Sequence, residues 1–132
     1  MWHTHRGANK YGAIKTEYQG RVYDSKFEAR VAADISLLVK SGDVISVETQ
    51  RTFDLYGKNG NKICSHRPDW LLTFKDSHQE VWEAKGVETA VFRMKLLLFT
   101  DNYPQYDYFI LKQTTSYYAF RNGKRVLRKR KA

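Results

Sequence analysis

The chain has 132 residues, 42% hydrophobic and 14% aromatic, which suits one domain with a real core and excludes a disordered chain. A formal net charge of +9, from 23 Lys and Arg against 14 Asp and Glu, points toward a polyanionic partner. Cys64 is the only cysteine, so an intrachain disulfide and a cysteine zinc cage are excluded, and a reducing cytoplasm is the expected compartment.

Residues 1–12, "MWHTHRGANKYG", are polar and turn-rich and lack the apolar core of a leader. They are expected to form a flexible terminus in which His3 and His5 are inert. The folded domain is expected over residues 13–123. "AIKTEYQGRVYDS" alternates around Gln19-Gly20 and predicts a short hairpin. "DSKFEARVAADISLLVKSG" predicts a helix, because Phe27, Val31, Ile35 and Leu38 recur at helical spacing and Gly42 stops it. Four strand-like segments follow, "VISVETQ", "RTFDLYG", "KICSHRPDWLLTFK" and "QEVWEAKG", which the turns "GKNGN" and "KDSHQ" separate into a meander. "TAVFRMKLLLFTDNYP" predicts a second helix with Phe92, Leu96, Phe99 and Tyr103 on one face and Pro104 at its end. "YDYFILK" and "SYYAFRNG" read as late strands whose Tyr108, Phe109, Tyr117 and Tyr118 belong to the core. No run approaches the roughly 18 apolar residues of a membrane span. The last nine residues, "KRVLRKRKA", hold six basic groups and no acid and are expected to be a basic tail over 124–132. Without them the chain carries only +3, from 17 basic and 14 acidic residues. The element order predicts one α/β domain around a mixed sheet flanked by helices.

The charges in "RPDWLLTFKDSHQEVWEAKG" are out of place for a buried sheet. Side chains alternate along a strand, so Glu83 and Lys85 share a face with Val81, and Asp69 shares one with Leu71 and Thr73. If Lys75-Asp76-Ser77 is a three-residue loop, residue 74 pairs with 78 and Asp69 lands opposite Glu83. Like charges so placed are destabilising. A divalent cation removes that cost, and hard oxygen ligands suit Mg²⁺. Lys85 on the same face would orient an attacking water or steady charge on a phosphate. The alternative is an exposed edge on which Glu83 and Lys85 alternate and Asp69 pairs with Arg67. His66, three residues before Asp69, falls on the opposite face of a regular strand and is expected to be structural.

Pro68-Asp69 followed by Glu83-Ala84-Lys85 resembles the signature of the PD-(D/E)XK nuclease superfamily. Glu28, in "DSKFEAR", occupies the place of that superfamily's acidic residue on the preceding helix. The chain also resembles a family of small phage and prophage proteins catalogued as a domain of unknown function. The matching stretches are "NKYGAIKTEYQGRVYDSKFEAR", "VETQRTFDL", "RPDW" and "WEAKGVETAVFRMKLLLF", roughly residues 9 to 110. The resemblance implies a restriction-endonuclease-like fold, with Asp69, Glu83 and the Ala84 carbonyl as metal ligands and Lys85 as the catalytic lysine. Glu28 becomes a ligand or holds a water, although Ser25-Lys26-Phe27-Glu28 is equally a capping box. Ser25, Lys26, Arg67, Arg93 and Lys95 are the expected phosphate contacts on DNA.

These readings lead to a Mg²⁺-dependent DNA endonuclease of phage origin, with Mn²⁺ able to substitute. Similarity to small archaeal-type Holliday junction resolvases suggests a homodimer acting on branched DNA. The competing readings are a nicking or end-processing nuclease without junction preference, and a non-catalytic nucleic-acid-binding protein.

Overall fold

A computed structural model describes residues 26–112 in full, together with the backbone of five further strands: β1 (His3–Ala8), β2 (Ile14–Tyr18), β3 (Arg21–Tyr23), β10 (Ser116–Arg121) and β11 (Lys124–Lys129). Two compact units divide the chain at Asp43.

In the first unit, β1, β2 and β3 form an antiparallel sheet. Tyr18 pairs with Arg21, so two residues join β2 to β3 as the sequence predicts; Gln19 and Gly20 themselves lie outside the described residues. β1 corrects the expectation for residues 1–12, because His3–Ala8 pairs with β2 despite its polar composition. Main-chain pairing needs only N–H and C=O groups, which polar segments also carry. Helix α1 (Lys26–Ser41) lies against β2 and β3 and buries Phe27, Ala29, Val31, Ala32 and Ile35. Leu38, expected on that face, is only half-buried. The helix ends as predicted at Gly42, whose φ of +85° suits glycine. There the Gly42 and Asp43 N–H groups donate to the carbonyls of Val39 and Leu38, both at 3.1 Å.

The second unit is built on a six-stranded mixed sheet in the order β11-β10-β9-β8-β7-β4. Its strands are β4 (Val44–Thr49), β7 (Trp70–Phe74), β8 (Gln79–Ala84), β9 (Asp107–Leu111), β10 and β11. All neighbours are antiparallel except β8 and β9, which run parallel and are joined through helix α2 (Ala90–Asn102). Thr89 caps α2 by accepting the Phe92 N–H at 3.1 Å, and the Tyr103 N–H closes the far end on the Phe99 carbonyl at 2.8 Å. The α2 residues Phe92, Leu96 and Phe99 share a buried cluster with Leu71, Val81, Tyr108 and Ile110 of the sheet.

The expected meander is corrected in one place. Among the described residues β5 (Phe53–Tyr56) and β6 (Lys62–His66) pair only with each other, and β4 pairs directly with β7. The segment "KICSHRPDWLLTFK" is therefore two strands. Pro68 has no N–H to give a ladder and Asp69 is a bend, so the chain changes sheets there. The β5–β6 hairpin places Phe53 and Leu55 in the α2 cluster. Tyr103 donates to the Asp54 carbonyl at 2.7 Å, and Asn102 bonds both the N–H and the carbonyl of Tyr56.

The carboxyl-terminal expectation is also corrected: Lys124–Lys129 is the edge strand β11, paired residue for residue with β10. Lysine-rich sequence is a common property of sheet edges, where charge discourages further pairing. Tyr108 and Phe109 are buried as expected, while the side chains of Tyr117 and Tyr118 lie outside the described residues. No helix among the described residues is long and apolar enough to cross a membrane.

Candidate metal centre

β7 and β8 are joined by residues 75–78, of which 75–77 form the loop between Phe74 and His78. The Phe74 N–H donates to the His78 carbonyl at 2.9 Å, the Ser77 N–H donates back to Phe74 at 2.8 Å, and Ser77 takes a φ of +74°. This three-residue loop sets Trp70 opposite Trp82 and Leu71 opposite Val81. Just past that paired stretch Asp69 lies against Glu83, as the loop length predicts. Leu71 and Val81 are buried under α2, so the two carboxylates sit on the α2 side of the sheet.

The acidic groups are tied together through the main chain. The Asp69 N–H donates to Glu83 Oε2 at 2.9 Å, and the Ala84 N–H donates to Asp69 Oδ2 at 2.9 Å. Glu83 is buried at 6% exposure, where an ionised carboxylate is costly without compensating charge or hydrogen bonds. Its Oε1 lies 4.0 Å from Lys85 Nζ, while Asp69 Oδ1 has the Gln50 amide at 3.5 Å.

Pro68 has no N–H to donate, and the Ala84 N–H is taken by the Asp69 side chain. Asp69 and Glu83 offer hard oxygens of the kind Mg²⁺ prefers. Among the described residues no group of three His, Cys, Asp or Glu side chains is arranged to hold a metal. A pair of carboxylates still suits Mg²⁺, which keeps several of its waters.

A family model described as "Protein of unknown function (DUF1064)" matches residues 8–118, which takes in all of these groups and Glu28. The chain belongs to the DUF1064 family. No curated protein and no solved structure matches it.

Around the carboxylates this DUF1064 chain gathers positive charge unevenly. Lys85 is 29% exposed and lies over the Phe92 ring, with Nζ 4.5 Å from the centroid. Lys95 is half-buried one turn further along α2, and Arg67 is exposed at the break between β6 and β7. Arg93 is exposed too, but one guanidinium N–H is taken by the Glu88 carbonyl at 3.0 Å. Lys26 is exposed and Glu28 half-buried on α1, in the first unit, whereas Asp69, Glu83, Ala84 and Lys85 are brought together within the second. Ser25 lies outside the described residues, and with it the capping box.

His66 is the main departure from expectation. Because the chain turns at Arg67-Pro68, strand alternation does not carry from β7 back into β6. His66 instead lies on the α2 side at 6% exposure, its Nε2 sharing a 2.8 Å hydrogen bond with the Tyr108 hydroxyl. Burial first, then Glu83 and Asp69, pushes the Tyr108 hydroxyl well above its ordinary pKa, so it stays protonated. Burial, reinforced by Lys95 and Lys85, lowers the His66 pKa from 6.5 to about 4. The unfolded chain then binds a proton that the folded chain refuses between those values. Stability is full above about pH 6.5 and falls as the pH drops toward about 4, by a total on the order of 3 kcal/mol. Urea melts from pH 7 to pH 4 are expected to show this loss, and His66→Gln is expected to flatten it. Sequence reading also missed Gln50 and Phe92 as neighbours of the site; the positive φ of Gln50, +56°, is a backbone feature with no signal in the sequence.

Proposed function

We propose that this chain is a Mg²⁺-dependent DNA endonuclease that hydrolyses phosphodiester bonds in the host cytoplasm. The observation that carries the reading is the pairing of the Asp69 and Glu83 carboxyl groups through main-chain bonds, with Lys85 beside them. The resemblance of Pro68-Asp69 and Glu83-Ala84-Lys85 to the PD-(D/E)XK signature supports it, as does the net charge of +9.

Asp69, Glu83 and the Ala84 carbonyl would hold the ion, which supplies positive charge to a phosphate and to an attacking water. The chain's own groups do the rest. The Ala84 N–H and Asp69 N–H fix the two carboxylates in place before substrate arrives. Lys85 brings its ammonium to the same face, where it orients the water or steadies charge gathering on the phosphate. Arg67 and Lys95 are the proposed phosphate contacts. The decisive assay is Mg²⁺-dependent nicking of supercoiled plasmid, expected with Mg²⁺ or Mn²⁺ and absent in EDTA. A chain that binds DNA but leaves it intact in every divalent metal would be a non-catalytic binding protein.

Glu28 is proposed as a further ligand or water-holding group. Glu28→Gln keeps a side chain able to bond a helix-end N–H but loses the charge. Cleavage is expected to fall with the melting temperature unchanged; full activity would leave Glu28 a helix cap.

The substrate proposed is branched DNA. Resolving a four-way junction takes two cuts and therefore two sites, so the working form is a homodimer. Ultracentrifugation is expected to show a dimer. Binding in Ca²⁺, an ion that accepts looser oxygen geometry, is expected to favour a four-way junction over a linear duplex of equal length. A monomer without junction preference would remove the resolvase reading and leave a nicking or end-processing nuclease.

A further inference from the structure

Lys85 is held in an unusual way for a lysine beside a carboxylate. Its Nζ stands 4.0 Å from Glu83 Oε1, beyond the usual range of about 2.7–3.2 Å for an N–H···O hydrogen bond. The Phe92 ring, by contrast, lies squarely beneath it at 4.5 Å. Both ends of that contact are anchored. The Lys85 N–H is bonded to the Leu111 carbonyl at 3.0 Å, and the Phe92 N–H to Thr89 Oγ1 at 3.1 Å. Phe92 is 5% exposed and packs beside the His66 ring, with centroids 6.0 Å apart.

A carboxylate and a ring face hold an ammonium with different consequences. A carboxylate at hydrogen-bond distance consumes one of the three N–H donors and competes with a phosphate oxygen for the charge. A ring face attracts the cation through its quadrupole and offers only a weak acceptor. A ring face would therefore restrain the flexible lysine stem while leaving its N–H donors available to water and phosphate. We propose that Phe92 is a positioning residue for Lys85, setting the ammonium on the reaction face by a cation–π contact; this inference rests on the nuclease reading above.

The test replaces Phe92 with 4-fluoro-, 3,5-difluoro- and 3,4,5-trifluorophenylalanine, which nearly keep the ring's shape but progressively weaken its attraction for a cation. In Mg²⁺, kcat for plasmid nicking is expected to fall stepwise, by about tenfold across the series, with KM and melting temperature nearly constant. In a Lys85→Met background the series is expected to have no effect on the residual rate. Rates that ignore fluorine content, or that fall equally without Lys85, overturn the proposal. A second measurement stands apart from catalysis. In the metal-free protein, the Lys85 side-chain proton resonances are expected upfield of other lysines, shifted by the ring current, and to return to ordinary values in Phe92→Leu. Unshifted Lys85 resonances overturn the contact itself, whether or not DNA is cut. Shifted resonances in a protein that cuts no DNA would overturn the nuclease reading and Phe92's role in chemistry, leaving only a packing contact.

Discussion

Asp69→Asn is expected to abolish cleavage, by at least ~100-fold in kcat, without unfolding the chain. The asparagine oxygen can still accept the Ala84 N–H that now bonds Asp69 Oδ2, so the link between β7 and β8 survives. What disappears is one of two carboxyl groups held side by side, where like charges are destabilising. In EDTA the variant should therefore melt at the same temperature as the parent or higher. In Mg²⁺ the order should reverse, because an ion that binds only the folded state raises the melting temperature in proportion to its occupancy. Thermal melts of both proteins in EDTA and in 10-fold steps of Mg²⁺ provide the measurement. A large loss of stability in EDTA would make Asp69 an ordinary structural hydrogen-bond acceptor and would sink the metal reading at this residue.

Lys85→Met should be as damaging to cleavage, about 10²- to 10⁴-fold, and should differ from Asp69→Asn in everything else. Lys85 supplies no oxygen to an ion, so the Mg²⁺-induced rise in melting temperature should be kept. Methionine covers Phe92 with an apolar chain of similar length, so the fold should be little changed. DNA binding in Ca²⁺ should weaken only modestly, since one phosphate contact among several is lost. Loss of the Mg²⁺ response in Lys85→Met would show that the lysine is needed to assemble the site and is not a separate chemical group. Retention of full activity would remove it from the chemistry.

The approach of Asp69 to Glu83 was readable in the sequence because its determinants are local. A three-residue loop and the two-residue period of a strand are enough to set Asp69 opposite Glu83 and to place both with Leu71 and Val81. Both helices were readable for the same reason, since their apolar spacing and the stops at Gly42 and Pro104 lie within one segment. Cys64 alone ruled out a disulfide between two cysteines of this chain.

Partner choice was not local, and there the tertiary structure decided. Nothing in the alternation of "VISVETQ" says that it pairs with β7 instead of the adjacent β5, because every strand offers the same backbone donors and acceptors. The same indifference lets charged β11 and polar β1 join sheets that side-chain composition assigned to a tail and a flexible terminus. His66 was misplaced because strand parity holds only while the strand continues, and Pro68 with the bend at Asp69 ends it. That same break brings His66 under α2 against Tyr108. Phe92 met Lys85 only because the chain folds back between β8 and α2. The sequence by itself determined which residues share a face, since that follows from bond geometry along one segment. Which faces meet depended on long-range packing, which no single segment encodes.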